Sequence, residues 1–186
     1  MQSQFSIPDL PVPQPVTLPV KRTAIAVLDM NAGCNDPNET CSQVVPVLGP
    51  FLDRARSYGL PIVFTVSLML KGTPLGETAR GLNRRPEEPI VHPDGFDKFT
   101  GGEMAEFLGR SGVENLVLVG WATNIAVMYT ATTSARVRQY RTVLPVDGTV
   151  TYGDYERHYA LHQLATLPGA VTVPVEFTTL SQLEFA

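Results

Sequence analysis

Short runs of consecutive apolar residues alternate with segments of helical periodicity along most of this chain. Residues 23–29, 61–66, 115–119, 141–146 and 170–173 are nearly continuous in apolar side chains, the pattern of strands buried on both faces. Helical patterns fill residues 41–58, closed by Gly59, and residues 103–110, 123–139 and 154–165. Apolar strands separated by helices predict an α/β fold: a three-layer, doubly wound, mainly parallel sheet of about six strands. Ligands of such sheets bind beyond the carboxyl ends of the strands, where the strand order reverses. That rule brings Asp29, Ser67 and the turn at Gly120 to one rim, although they are far apart in sequence.

Two stretches break the alternation. Residues 1–20 carry Pro8, Pro11, Pro13, Pro15 and Pro19, which block helix and central strand and predict an extended arm, loose or packed on a neighbouring subunit. Residues 21–186 then form a single domain. Residues 67–90, with Gly72, Pro74, Gly76, Gly81, Pro86 and Pro89, read as a long irregular excursion of the kind that shapes a site.

A chain of 186 residues buries roughly two-thirds of its unfolded surface and folds without metals or disulfides. A net charge of −4, with no basic cluster denser than Arg136, Arg138 and Arg141, argues against nucleic acid and membrane surfaces as partners and leaves small molecules. No apolar stretch approaches the roughly 18 residues of a membrane span, and the first residues lack the basic-then-apolar pattern of a signal peptide. Cys34 and Cys41 form no C-x-x-C motif and no disulfide framework, as fits a reducing cytoplasm.

The candidate chemistry centres on NLVLVGWATNIAVMYTATTSA, residues 115–135, which reads as buried strand, tight turn and helix start. Backbone N–H groups and the positive end of a helix dipole converge at such a turn and hold a developing oxyanion. The side chain best placed to use them is Ala126, which has no reactive atom. Asp29 ends an apolar strand, where partial desolvation raises a carboxyl pKa toward that of an acid or base working near neutrality. Its change to Asn is expected to cut turnover with little effect on folding. Cys34 lies five residues further on at the same rim, but nothing around it supplies the electropositive niche of a reactive thiol. His158 and His162 have helical i, i+4 spacing without the rest of an H-E-x-x-H motif, so they read as a surface face; no metal and no cofactor is expected.

Several motifs together resemble the isochorismatase-like cysteine hydrolases, a family of nicotinamidases, carbamoylsarcosine amidases and isochorismatases. Gly120, Thr123, Val127, Thr130 and Ala131 keep the frame G-x-x-T-x-x-C-V followed by T-A, and Ala126 stands where that family has its nucleophilic cysteine. TAIAVLDMN is similar to the family's first strand ending in Asp-Met-Gln, with Asn31 in place of Gln; Pro61-Ile62, DKFTGGEMAEFL and VLPVDGTV also match, so the likeness spans about residues 22–176.

The resemblance implies an acid–base role for Asp29 and a lysine that polarises the substrate. Anchored on Phe99, that lysine falls near His92 or Pro93, whereas the nearby lysine is Lys98; Lys98 takes the role, His92 takes it, or the position is empty. It further implies a cis peptide bond at Trp121–Ala122, with the N–H groups of Ala122 and Ala126 as oxyanion donors. Thr123 and Asn124 then bond across the turn or cap the helix, and Trp121 either floors an aromatic pocket or packs in the core. Substrate contacts are thus expected from Asn31, His92, Trp121, Ala122, Thr123 and Asn124, and the assembly is expected to be a homodimer or homotetramer. Three functions fit Ala126: an acid–base hydrolase with no covalent step, a cysteine amidohydrolase carried as a Cys-to-Ala variant, and a binding protein without catalysis.

Overall fold

In a computed structural model of the protein, residues 7–168 and 174–186 are described. The elements in chain order are β1 (Val16–Leu18), β2 (Thr23–Leu28), α1 (Val45–Ser57), β3 (Ile62–Thr65), β4 (Ile90–Val91), α2 (Glu103–Arg110) and β5 (Asn115–Trp121). They continue with α3 (Met128–Arg136), β6 (Arg141–Pro145), β7 (Thr149–Val150), α4 (Asp154–Ala165), β8 (Val175–Thr178) and β9 (Leu183–Phe185). The main sheet has the order β4-β3-β2-β5-β6-β8, with β7 added to the end of β5, and its strand pairs are parallel.

Strand order reverses between β2 and β5. Leu28 lies in register with Thr65 on one side and Gly120 on the other, so the chain leaves three adjacent strands at one rim, at Asp29, Val66 and Trp121. Alternate residues of β2 serve opposite faces, as the pleat requires. Ala24, Ala26 and Leu28 join Met104, Leu108, Ala131 and Leu161 under α2, α3 and α4. Ile25 and Val27 join Leu48, Phe51 and Leu52 of α1, together with Leu18 and Leu183. Each fully buried Leu or Ile of this kind contributes about 1.5–3 kcal/mol, so both helical layers are held mainly by apolar burial.

The α1 pattern starts later than its sequence suggests. A 3-10 turn spans Thr40–Val44 and the α-helix begins at Val45, with Pro46 in the first turn, where a missing N–H costs nothing. Below the rim, α3 is also shorter than expected: a π-type turn at Thr123–Val127 precedes it, and it ends at Arg136. The strand expected at residues 170–173 lies outside the described residues; β8 occupies the sheet edge beside β6.

The proline-rich stretch folds back onto its own chain from Val16 to Leu18, which pair in parallel with Leu183–Phe185. Val16 and Leu18 are buried while Thr17 is exposed, and Gln14 N–H donates to Phe177 O at 2.8 Å. The long excursion is likewise ordered, as 3-10 turns at Leu68–Leu70, Pro74–Gly76 and Arg80–Leu82 followed by β4. Its far end is fastened by a buried fork: Arg56 Nε and Nη2 donate to Glu88 Oε1 and Oε2 at 2.7 and 2.9 Å, and Nη2 also reaches Leu82 O at 3.1 Å.

One expectation is overturned. Cys34 and Cys41 are joined in a disulfide, so cysteine usage no longer points to a reducing compartment, and Cys34 has no free thiol to act as a nucleophile. Closing so short a loop contributes about 2.5 kcal/mol by restricting the unfolded chain. Among the described residues no helix is long and apolar enough to cross a membrane.

Candidate active site

Asp29 follows β2 with a positive φ of 51°, a conformation that turns the chain out of the sheet plane. Its N–H donates to Thr65 O at 3.0 Å and to Thr65 Oγ1 at 3.2 Å, and Thr65 Oγ1 donates to Asp29 Oδ1 at 3.2 Å. The second carboxylate oxygen, Oδ2, is 2.6 Å from Lys98 Nζ. The Lys98 side chain is 2% exposed, and its ammonium also donates to Gly95 O at 3.0 Å. Burial pushes the Asp29 carboxyl above the usual carboxylate range, outweighing the downward pull of the Lys98 ammonium and the Thr65 hydroxyl.

Of the two residues expected to meet Asp29, the structure brings Lys98 to it. His92 is held through its backbone, whose N–H donates to Glu103 Oε2 at 3.1 Å. Its imidazole is pushed down by burial and then by the positive charge of Lys71, against a smaller pull from Glu103.

The Gly120 turn closes the other side. Gly120 has φ 121°, and a Cβ there would lie 2.2 Å from Leu28 O, so only glycine lets β5 approach β2 at this point. The Trp121–Ala122 peptide bond is cis. Ala122 O accepts from the N–H groups of Ile125 and Val127 at 3.0 and 3.2 Å, which winds the π-type turn and carries Ala126 into the interior. Ala126 is buried in the same cluster as Leu28 and Phe99, the chain neighbours of Asp29 and Lys98.

The remaining candidates line the turn and its flanks. Thr123 is buried, and its hydroxyl has no hydrogen-bond partner among the described residues. Asn124 Oδ1 accepts from Thr151 Oγ1 at 2.5 Å, tying the turn to the segment after β7. Trp121 meets Tyr152 edge-on at 4.6 Å between ring centroids. Asn31 spends its side chain locally, Oδ1 accepting from Gly33 N–H at 2.8 Å, while its backbone bridges to Thr78 of the excursion. His158 and His162 lie on α4, where His158 Nδ1 sits 2.9 Å from Asp154 O; among the described residues no three His, Cys, Asp or Glu side chains cluster as a metal site.

Two residues in direct contact with the acid–lysine pair carry weak sequence signals. Thr65 is a polar residue at the end of an apolar strand. Thr130 matches the family frame, yet nothing in its spacing indicates that its Oγ1 accepts from Lys98 N–H at 3.0 Å.

In this doubly wound α/β protein the carboxyl–lysine pair and the strand-turn-helix meet at the switch point, where open α/β sheets bind their ligands. Residues 23–176 match the isochorismatase domain, and the chain belongs to that family. Among solved structures it resembles a cysteine hydrolase from Pseudomonas syringae pv. phaseolicola (17% identity, 96% of each chain covered, TM-score 0.75). It also resembles an isochorismatase family protein from Desulfovibrio vulgaris (21% identity, 86% of this chain and 95% of that one, TM-score 0.74). The N-carbamoylsarcosine amidase of Thermoplasma acidophilum is a third (19% identity, 86% and 96% covered, TM-score 0.72). Identities this low show a shared fold. No curated protein matches the chain significantly.

Proposed function

We propose that the chain is a small-molecule hydrolase in which Asp29 is the acid–base catalyst and no covalent bond to the protein forms. One observation carries this reading. A carboxyl raised by burial is held against a buried lysine at the rim, and Ala126, in the same buried cluster as their chain neighbours Leu28 and Phe99, offers no lone pair for nucleophilic attack. An acid-labile bond such as an enol ether needs no more than this pair. Protonated Asp29 donates to the terminal vinyl carbon, leaving an oxocarbenium ion. Water adds to its carbon, and the hemiketal collapses to a carbonyl compound and an alcohol while a proton returns to Asp29. Lys98 stabilises the carboxylate between these two transfers. Substrate contacts are assigned to Trp121, Ala122, Thr123 and Asn124 of the turn, with Asn31 and His92 on the flanking loops; the hydroxyl of Thr123, without a partner among the described residues, and the neutral form of His92 suit hydrogen bonding to a polar ligand.

The sign of the pH dependence tests the acid role. The active form is protonated, so kcat/KM for an alkyl vinyl ether is expected to be highest at low pH and to fall as pH rises through the raised pKa of Asp29. A rate that climbs with pH between about 5 and 8 would show that the carboxylate, not the acid, is the working form.

A second reading has a specific observation in its favour. Lys98 at Asp29 is the pairing a cysteine amidohydrolase needs, so a chain with Ala for Cys at 126 keeps the other two members assembled.

We also propose a homodimer or homotetramer. Phe96 stacked on Tyr129 at 6.1 Å, with Tyr155 73% exposed, leaves aromatic surface suited to a second copy. Light scattering at micromolar concentration should give a multiple of 20.2 kDa, and the monomer mass would reject this.

A further inference from the structure

The site pairs Asp29 with a lysine that is 69 positions away and shares no secondary structure with it, so something must fix where Lys98 sits. The short segment before α2 supplies one bond of its own, Lys98 Nζ donating to Gly95 O at 3.0 Å, with Lys98 in a turn after Gly95 at φ 144°. The turn itself is held by the helix that follows the Gly120 turn. Thr130 Oγ1 accepts from Lys98 N–H at 3.0 Å, and both residues are buried. One turn further on, Thr133 Oγ1 donates to Asp97 Oδ2 at 2.6 Å, while Asp97 Oδ1 accepts from Phe99 N–H at 3.0 Å. The two threonines thus clasp the turn on either side of the lysine, one through its backbone and one through its neighbour's carboxylate.

Thr130 stands four residues beyond Ala126 and is buried with it, so the two lie about one helical turn apart on the inner face. A single stiff element therefore carries the position at which a nucleophile would stand and grips the lysine that pairs with the acid. We propose that Thr130 and Thr133 are positioning residues of the site, setting the Lys98 ammonium against Asp29 Oδ2 through hydrogen bonds to the 97–98 turn. This rests on the reading of Asp29 and Lys98 as the acid–base pair. It also accounts physically for a lysine that falls outside the family's spacing: a lysine seated by a helix from elsewhere in the chain need not keep a fixed offset from Phe99.

The test uses the full chain carrying Thr130→Val, Thr130→Ser or Thr133→Val. The Asp29 carboxyl is titrated by carbon-13 NMR, and vinyl ether turnover is measured in parallel. Valine keeps the shape of threonine but removes the acceptor, so the Lys98 N–H is left without its partner and the turn shifts. With the ammonium displaced, the Asp29 midpoint is expected to rise by about one pH unit or more. Thr130→Ser should restore the wild-type midpoint, and Thr133→Val should raise it by a smaller amount. A Thr130→Val protein that melts earlier but titrates at the wild-type midpoint overturns the proposal, because a packing role would do that. If Thr130→Val does not fold, Thr133→Val decides: its hydroxyl is only partly buried, and an unmoved midpoint there overturns the proposal equally. Shifted midpoints without turnover in any protein, wild type included, would support the positioning role while removing the hydrolase reading.

Discussion

Replacing Lys98 with methionine is expected to destabilise the fold by about 3–5 kcal/mol at neutral pH, because one partner of a buried ion pair is removed and the other stays behind. The Asp29 side chain is 19% exposed, and without Lys98 its charge keeps only the Thr65 hydroxyl and what water reaches it. The carboxyl answers by holding its proton, so its folded pKa rises further above the unfolded value. A group shifted in that direction contributes stability that is complete below the unfolded pKa and is lost as pH rises through the folded one. The gap between variant and wild type should therefore be small in acid and widen toward neutrality. Urea unfolding across a pH series checks this. A gap that does not change with pH would mean that Lys98 contributes packing and not charge.

Asp29→Asn is expected to lower turnover by about 10²-fold or more, the scale on which removal of an acid–base group acts. The amide keeps the carboxyl's outline, and its oxygen still accepts from Lys98, but its N–H protons are far too weakly acidic to transfer. The Lys98 contact bears on the expectation of little effect on folding. Lys98 is buried and would lose its counter-charge, so a loss of about 1–3 kcal/mol should accompany the change. Steady-state kinetics with a melting curve separate the two effects, and turnover within about threefold of wild type would remove Asp29 from the chemistry.

The parts of this architecture that were legible in the sequence are those fixed by local periodicity and burial. The apolar run beginning at Thr23 and the segment from Asn115 give the two central strands, and the α4 pattern gives the observed Asp154–Ala165. Asp29 and the Gly120 turn were legible because the carboxyl ends of neighbouring parallel strands converge whatever their separation in sequence. Lys98 was legible only as one candidate beside His92, since its place depends on an acceptor 32 residues later, which no offset from Phe99 encodes. The disulfide was hidden for a related reason: a separation of seven residues closes only if the chain between Cys34 and Cys41 turns back on itself. In the proline-rich stretch the alternation of Val16, Thr17 and Leu18 was present but masked by its prolines, which an edge ribbon tolerates and a central strand does not.

The central claim is hydrolysis by Asp29 with no covalent step at residue 126. Its most direct test is to incubate the wild-type chain and the Ala126→Cys variant with an alkyl vinyl ether and with a primary amide, following intact protein mass alongside product. The account predicts that the wild type cleaves the ether while its mass stays unchanged, and that the added thiol gives no acyl adduct and no ammonia. Inactivity of the wild type on the ether, with an acyl mass and ammonia from the Ala126→Cys variant, would contradict it and mark the chain as a cysteine amidohydrolase lacking only its nucleophile.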